Sequence, residues 1–424
     1  MTAAAFSTWG ALAGLAVAIA LIVRRVTPAY ALILGALAGG LLGGGGLDGT
    51  VSAMIDGTRS MMPSVLRIPA SGVLVGALVK TGSAAKIADL VVSALGARFA
   101  LAAVALAAMI VTAIGVFVDI AVITVAPVAL AVGRKSGVPV PALLLAMVGG
   151  GKAGNVISPN PNTIAVAEAF KLDLTAVMAA NAVPALCAFA VAVALSLWLS
   201  KRWKNCETAA LTAEPSAALP GAFGALAGPI AVVSLLALRP FCGVAVDPLV
   251  ALPAGGVVSA VACGRWRRTV EYSEFGLAKV VGVAVLLIGT GTVAGIVKGS
   301  ALNSDMIHLL EACRLPAFAL APLSSVLLSG ATASTTAGVT IASQTFSPAL
   351  IKAGVPAVSA AAMLHAGGTI FDALPHGSFF HATAGAVGMG VKDRLKLFPL
   401  DALVGAATTA VSVAVYLLTA FQGR

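Results

Sequence analysis

Ser158-Pro159-Asn160-Pro161-Asn162-Thr163 breaks an otherwise apolar run between residues 141 and 170, and Leu374-Pro375-His376-Gly377-Ser378 breaks a second run between 355 and 389. Each break follows a glycine pair, Gly150-Gly151 in one case and Gly367-Gly368 in the other. The chain around them repeats itself. Gly137-Val138-Pro139 returns as Gly354-Val355-Pro356 in the same register, and Val79-Lys80 returns one residue out of register as Val297-Lys298. Proline removes an amide donor and prevents a continuous helix. In an apolar chain, matched interruptions in two halves point to a transporter binding site.

Composition places the chain in a bilayer. Hydrophobic residues make up 59% of its 424 residues and charged residues 10%, with a mean hydropathy of +1.04; a soluble domain carries roughly 25% charged residues. The net charge of +10 does not indicate nucleic acid. The basic residues cluster in short loops at Arg24-Arg25, Lys201-Arg202-Lys204, Arg265-Arg267-Arg268 and Lys392-Arg394-Lys396, which is how a membrane protein encodes its orientation. Five scattered cysteines (Cys187, Cys206, Cys242, Cys263, Cys313) form no CxxC pair, so neither a metal site nor a disulfide framework is expected. Residues 7–23 lack a preceding basic region and a cleavage site, and read as a spanning helix rather than a signal peptide.

These features predict an all-α polytopic membrane protein of two inverted repeats, each of about five spanning helices with a re-entrant helical hairpin and a broken helix. Repeat one covers 1–200, with its hairpin at 99–133 and its broken helix at 141–170. A polar cytoplasmic linker follows at 201–221. Repeat two covers 222–424, with its hairpin at 315–352, its broken helix at 355–389 and a last helix at about 397–421. With the N-terminus outside, all four basic clusters fall inside, while Lys171 and Lys352 fall outside; five crossings per half make the second copy inverted. Both termini are then periplasmic, in a bacterial-type inner membrane.

The chemistry is expected at the interruptions, because unwound backbone is tolerated only where it is buried in protein or lines a cavity. Ser158, Asn160, Asn162, Thr163 and the preceding Asn155 supply neutral hydrogen-bonding groups. Amides at the start of the following half-helix suit a carboxylate. The alternative is a proline kink whose polar residues patch the backbone. The hairpin tips, 115–119 and 332–336, are expected to meet the breaks; the second offers Thr332, Ser334 and Thr335, which can equally bond their own helix. Isolated ionisable residues in a bilayer are functional candidates. Lys152 is placed to meet a substrate carboxylate, or else to pair with Asp119 or reach the interface. Asp119, Asp372 and His365 are candidates for ion coupling, with Asp372 alternatively a structural partner of Lys152. His376 and Ser378 join the substrate set at the second break. Glu168 reads as interfacial.

At these residues the chain resembles the gluconate:proton symporter (gluconate permease) family of the ion transporter superfamily, over most of its length. The matching stretches are Gly115-Val116-Phe117-Val118-Asp119 continuing to Arg134-Lys135, the 158–163 break, the 332–340 tip and 371–380. Relatives read like Pro-Pro-His-Pro-Gly-Pro at the first break and Asn-Asp-Ser-Gly-Phe-Trp at the second, and usually carry glutamate where this chain has Asp119. The resemblance implies a secondary transporter of small hydroxylated carboxylates driven by proton symport, with a scaffold and a moving transport domain, in a homodimer. Asn and Thr at the first break are similar to sodium-binding segments of carboxylate transporters in the same superfamily, so Na+ stands beside H+ as coupling ion, and a smaller hydroxy, keto or amino acid beside gluconate.

The expected function is import of a small organic anion by alternating access, with no cofactor and no enzyme activity. An intramembrane enzyme using Asp119 and Asp372 as a catalytic pair is the competing reading, against which stands the missing Gly-x-Gly-Asp context. A passive channel is the third, and two broken sites without a continuous charged pore argue against it.

Overall fold

The computed structural model describes residues 6–203, 219–242, 244, 246–302, 305, 308, 312, 316–375 and 377–422. Nineteen α-helices and no β-strand occur among them. Most of the expected linker, and His376, lie outside the described residues.

Repeat one begins with α1 (Thr8–Val23), α2 (Pro28–Leu42), α3 (Gly46–Ser60), α4 (Met62–Lys80) and α5 (Ser83–Leu95). A helical hairpin follows, α6 (Ala100–Ala113) and α7 (Val118–Ser136), turning at Gly115 with φ +115°. The broken helix is α8 (Val140–Asn155) and α9 (Pro161–Ala169), and α10 (Leu174–Ala180) with α11 (Ala182–Arg202) closes the repeat. Repeat two runs through α12 (Ala222–Cys242), α13 (Pro248–Ala262) and α14 (Thr269–Lys298) to its hairpin, α15 (Leu320–Thr332) and α16 (Thr335–Lys352). Its broken helix is α17 (Ala357–Gly367) and α18 (Ser378–Ala386), and α19 (Val391–Gln422) ends it.

The two copies run in opposite directions. Repeat-equivalent segments, α3–α4 and α14, pack against each other along their length, and their order reverses. Arg265, just before α14, donates to the Lys80 carbonyl at 3.2 Å, at the far end of α4. Thr58 near the end of α3 donates to the Ile288 carbonyl in the second half of α14 at 3.3 Å. A Cβ on Gly276 would fall 1.8 Å from the Gly72 carbonyl oxygen, and one on Gly295 would fall 1.9 Å from that of Ala53. Small residues let membrane helices approach this closely. Antiparallel packing of equivalent helices is what an inverted repeat requires.

Two differences from the sequence expectation stand out. By length and composition, four helices of the described residues suffice to cross a membrane: Met62–Lys80, Ala182–Arg202, Trp266–Lys298 and Val391–Thr419. Others, such as α1 with 16 residues and α2 with 15, fall short of the ~20 a hydrocarbon core asks for. The last helix also begins at Val391 rather than near 397, so the basic cluster Lys392-Arg394-Lys396 is helical. Lys392 and Lys396 are exposed, but Arg394 is completely buried and is not a loop charge.

Candidate functional site

The first break is built around asparagine side chains. Asn160 is the N-cap of α9: its Oδ1 accepts from the Asn162 amide at 2.9 Å and the Thr163 amide at 3.1 Å. Its Nδ2 donates back to Asn155, to Oδ1 at 2.6 Å and to the carbonyl at 3.0 Å. Asn162 Nδ2 also donates to Asn155 Oδ1, at 3.2 Å. The capped amides of α9 are therefore engaged within the protein and do not stand open for a carboxylate, contrary to expectation at this break. Among the described residues, Asn162 Oδ1 and Ser158 Oγ have no hydrogen-bond partner. Thr163 is buried inside the same cap.

Helix α8 reaches this break through the tightest packing in the site. Cβ atoms on Gly149, Gly150 and Gly151 would fall 2.4 Å from Ala192 Cβ, 2.0 Å from the Ala105 carbonyl and 2.5 Å from Val118 Cγ1. Three successive positions thus face three different helices, α11, α6 and α7, and the next residue is Lys152.

Lys152 is 1% exposed. Its ammonium lies 2.7 Å from Asp372 Oδ1 and donates to the Thr369 carbonyl at 2.7 Å and the Asp401 carbonyl at 3.3 Å. Asp119 is not its partner, and it does not reach an interface. The other Asp372 oxygen accepts from Thr335 Oγ1 at 2.7 Å, which ties the second break to the second hairpin tip. Behind this pair is another that sequence reasoning missed: Arg394 and Asp401 meet at 2.5 Å with both side chains fully buried. Arg394 Nε also donates to Thr383 Oγ1 at 3.3 Å. Their signal was present, since Arg394 and Asp401 sit two helical turns apart, on one face.

The second break differs from the first in its cap. Gly377 precedes α18 and, having no side chain, gives its first amides no cap of the kind Asn160 gives α9. Gly377 also lies hard against the second tip: a Cβ there would be 2.4 Å from the Ala333 carbonyl. Ala333 itself is left-handed, φ +47°, a conformation costing a non-glycine residue about 1–2 kcal/mol.

All four interruptions open onto one cavity of about 1140 Å³. The first tip contributes Asp119, the first break Asn155 and Asn162, the second tip Thr332, Ser334 and Thr335, and the second break Asp372 and Ser378. The cavity extends past Lys279 to the α1–α2 connection at Arg25. Lys152, Ser158, Asn160, Thr163 and His365 are buried and do not line it. His365 is fully buried in α17, and neither ring nitrogen has a hydrogen-bond partner. Within the second tip, Thr332 bonds the Leu328 carbonyl at 2.8 Å and Ser334 caps α16 through the Ala337 amide at 3.2 Å, so Thr335 is the hydroxyl that reaches across. Among the described residues no three acidic, histidine or cysteine side chains cluster to hold a metal ion.

A second charge cluster lies apart from this cavity, around a smaller pocket. Arg67 of α4 pairs with Glu168 at the end of α9 and with Asp247 before α13, the latter at 2.7 Å. Its hydrogen bond from Arg67 holds the Asp247 carboxyl below the usual carboxylate range. Glu168 is thus part of an inter-helix contact. Its signal was the lone arginine in the apolar run 63–80.

Interrupted helices converging on one cavity, in a multi-pass membrane protein, define a permease-type transporter rather than an enzyme. The GntP family permease model matches residues 8–248. An uncharacterized transporter of Haemophilus influenzae is 48% identical over 414 residues, 97% of this chain and 98% of that protein. An uncharacterized permease of the same organism is 27% identical over 208 residues, 48% of this chain and 42% of that one. The chain belongs to the GntP permease family. Among solved structures, the YdaH transporter of Alcanivorax borkumensis, whose topology is described as unusual, superposes with a TM-score of 0.64 over 90% of each chain at 18% identity; that likeness concerns the fold.

Proposed function

We propose that this permease is a proton-coupled symporter that imports a small organic anion, such as gluconate or a related hydroxy or sugar acid, by alternating access. The observation that carries the reading is the single cavity onto which both hairpin tips and both breaks open. The uncapped start of α18 offers amides and a helix dipole to a carboxylate, and the Asn155, Asn162, Thr335 and Ser378 side chains suit hydroxyls. Arg25 and Lys279 line the approach, where positive charge raises the local concentration of an anion. The charge rule puts the Arg25 loop in the cytoplasm. On that orientation the cavity faces inward and the Arg67 cluster closes the periplasmic side of an inner-membrane carrier, which works as a homodimer.

A second reading rests on Asn162 Oδ1 and Ser158 Oγ, buried neutral oxygens without partners at the first break; such oxygens serve a sodium ion as coupling cation. A thermal-shift screen of the purified protein against hydroxy, keto, sugar and amino acids, with and without sodium, tests both. Stabilisation by a hydroxy acid in sodium-free buffer supports the proton-coupled reading; stabilisation that requires sodium supports the second. No stabilisation by any carboxylate refutes the substrate class.

A further inference from the structure

Resting on the anion-carrier reading, we infer that Asp372 is a built-in stand-in for the substrate carboxylate: anion and proton enter the site together because both compete for the single charge on Lys152.

The ammonium of Lys152 has three partners, and two are neutral backbone carbonyls. Asp372, at 2.7 Å, supplies its counter-charge. The neighbouring acid, Asp401, is committed to Arg394 at 2.5 Å. These four residues sum to zero charge with none to spare. Asp372 is the member on the cavity wall, so an entering carboxylate meets it in front of Lys152.

Two carboxylates beside one lysine leave an uncompensated negative charge in a buried site, which is strongly unfavourable. A proton bound to Asp372 removes it: the acid becomes a neutral O–H donor, Lys152 keeps a full counter-charge in the substrate, and Thr335, whose hydroxyl donates to Asp372 at 2.7 Å, can turn to accept. A proton alone would strand Lys152 without an anion, and an anion alone would strand a carboxylate. The empty site and the doubly loaded site carry the same charge, so one anion crosses with one proton and no net charge moves. The other titratable and charged groups facing Asp372 do not replace it. Asp401 and Arg394 of α19 balance each other's charge; Asp119 of α7, Lys279 of α14, Arg25 before α2 and His381 of α18 line the same cavity but none pairs with Lys152; His365 of α17 is buried and does not line it. The repeat supports a single coupling site, because the positions that correspond to Lys152 and Asp372 in the other copy are the neutral Thr369 and Asn155.

Calorimetry of gluconate binding to the purified full chain, with glycerate and lactate as smaller probes, in buffers of different ionisation enthalpy tests this. Wild type should take up one proton per anion, and its affinity should fall as the pH rises, by about tenfold per pH unit where uptake is complete. Asp372→Asn should bind with no proton uptake and an affinity constant within about twofold over the same range. In proteoliposomes, wild-type uptake driven by a pH gradient should be indifferent to an imposed membrane potential. Anion binding by wild type without proton uptake overturns the inference, as does a wild-type pH dependence in Asp372→Asn; the wild-type proton count decides if that variant does not fold. Absence of binding by any hydroxy acid at any pH instead refutes the anion-carrier reading, and the inference with it.

Discussion

Arg394 shows how a residue's surroundings reverse its meaning. By sequence it belongs to a basic cluster that sets orientation; in the fold its guanidinium is buried against Asp401, Thr383 and the face of Phe380, 5.3 Å from the ring centre. Removing one partner of such a pair strands a buried charge at a cost of about 3–5 kcal/mol, whereas replacing both with apolar residues is often neutral. Arg394→Met should therefore lower the thermal unfolding temperature in detergent markedly, and adding Asp401→Leu should restore most of it; an unchanged melt for the single variant would contradict this. Lys152→Ala should sharply weaken carboxylate binding, and wild-type binding in that variant would remove Lys152 from the site. Lys152 and Asp372 were legible as candidates because a lone charge in an apolar run needs a reason. Their pairing was open in the sequence, because it joins α8 to the second break, and only the fold decides between Asp119 and Asp372.

Helices and their seams carry the next level. The breaks were legible because Pro159 and Pro161 remove amides and because polar residues interrupt apolar runs. Less legible was how each break is satisfied: Asn160 turns inward to cap α9, so the first break closes on itself, while Gly377 offers α18 no such cap. The glycine pairs marked the breaks, yet their physical reason is contact. Gly150 leaves no room for a side chain against α6, so Gly150→Leu should prevent correct packing of α8 and abolish folded protein in size-exclusion chromatography; a monodisperse, stable variant would contradict the seam. At the other end, Arg67→Met should loosen the contact between α4 and α9 and raise the accessibility of a cysteine placed at Leu172, whose side chain lines the small pocket there; unchanged labelling would show that the cluster holds nothing shut. The Asp247 carboxyl is depressed, so its contribution is present above the ordinary aspartate value of about 3.9 and is lost as pH falls through the lower folded value. The Arg67–Asp247 pair therefore stays charged throughout the range in which a proton gradient operates.

At the scale of the whole molecule, duplication and inversion were legible from matched motifs and loop charges, and the antiparallel seam between α3–α4 and α14 gives them a physical form. Symmetry of the scaffold does not extend to its chemistry. One break is a closed net of asparagines, the other a carboxylate held by a lysine from the opposite copy. Lys152 even touches the backbone of Thr369, its own counterpart, so the two copies meet where they differ most. The sequence showed that the copies had diverged, but not that the divergent residues would sit in contact, since that depends on where the inverted copies cross. The central claim is that this meeting point is a proton-driven anion site. Uptake of radiolabelled gluconate or a smaller hydroxy acid into proteoliposomes under an inward proton gradient tests it most directly. The internal concentration should rise above the external one and fall back when an uncoupler is added; uptake that merely equilibrates, with or without the uncoupler, would contradict the account.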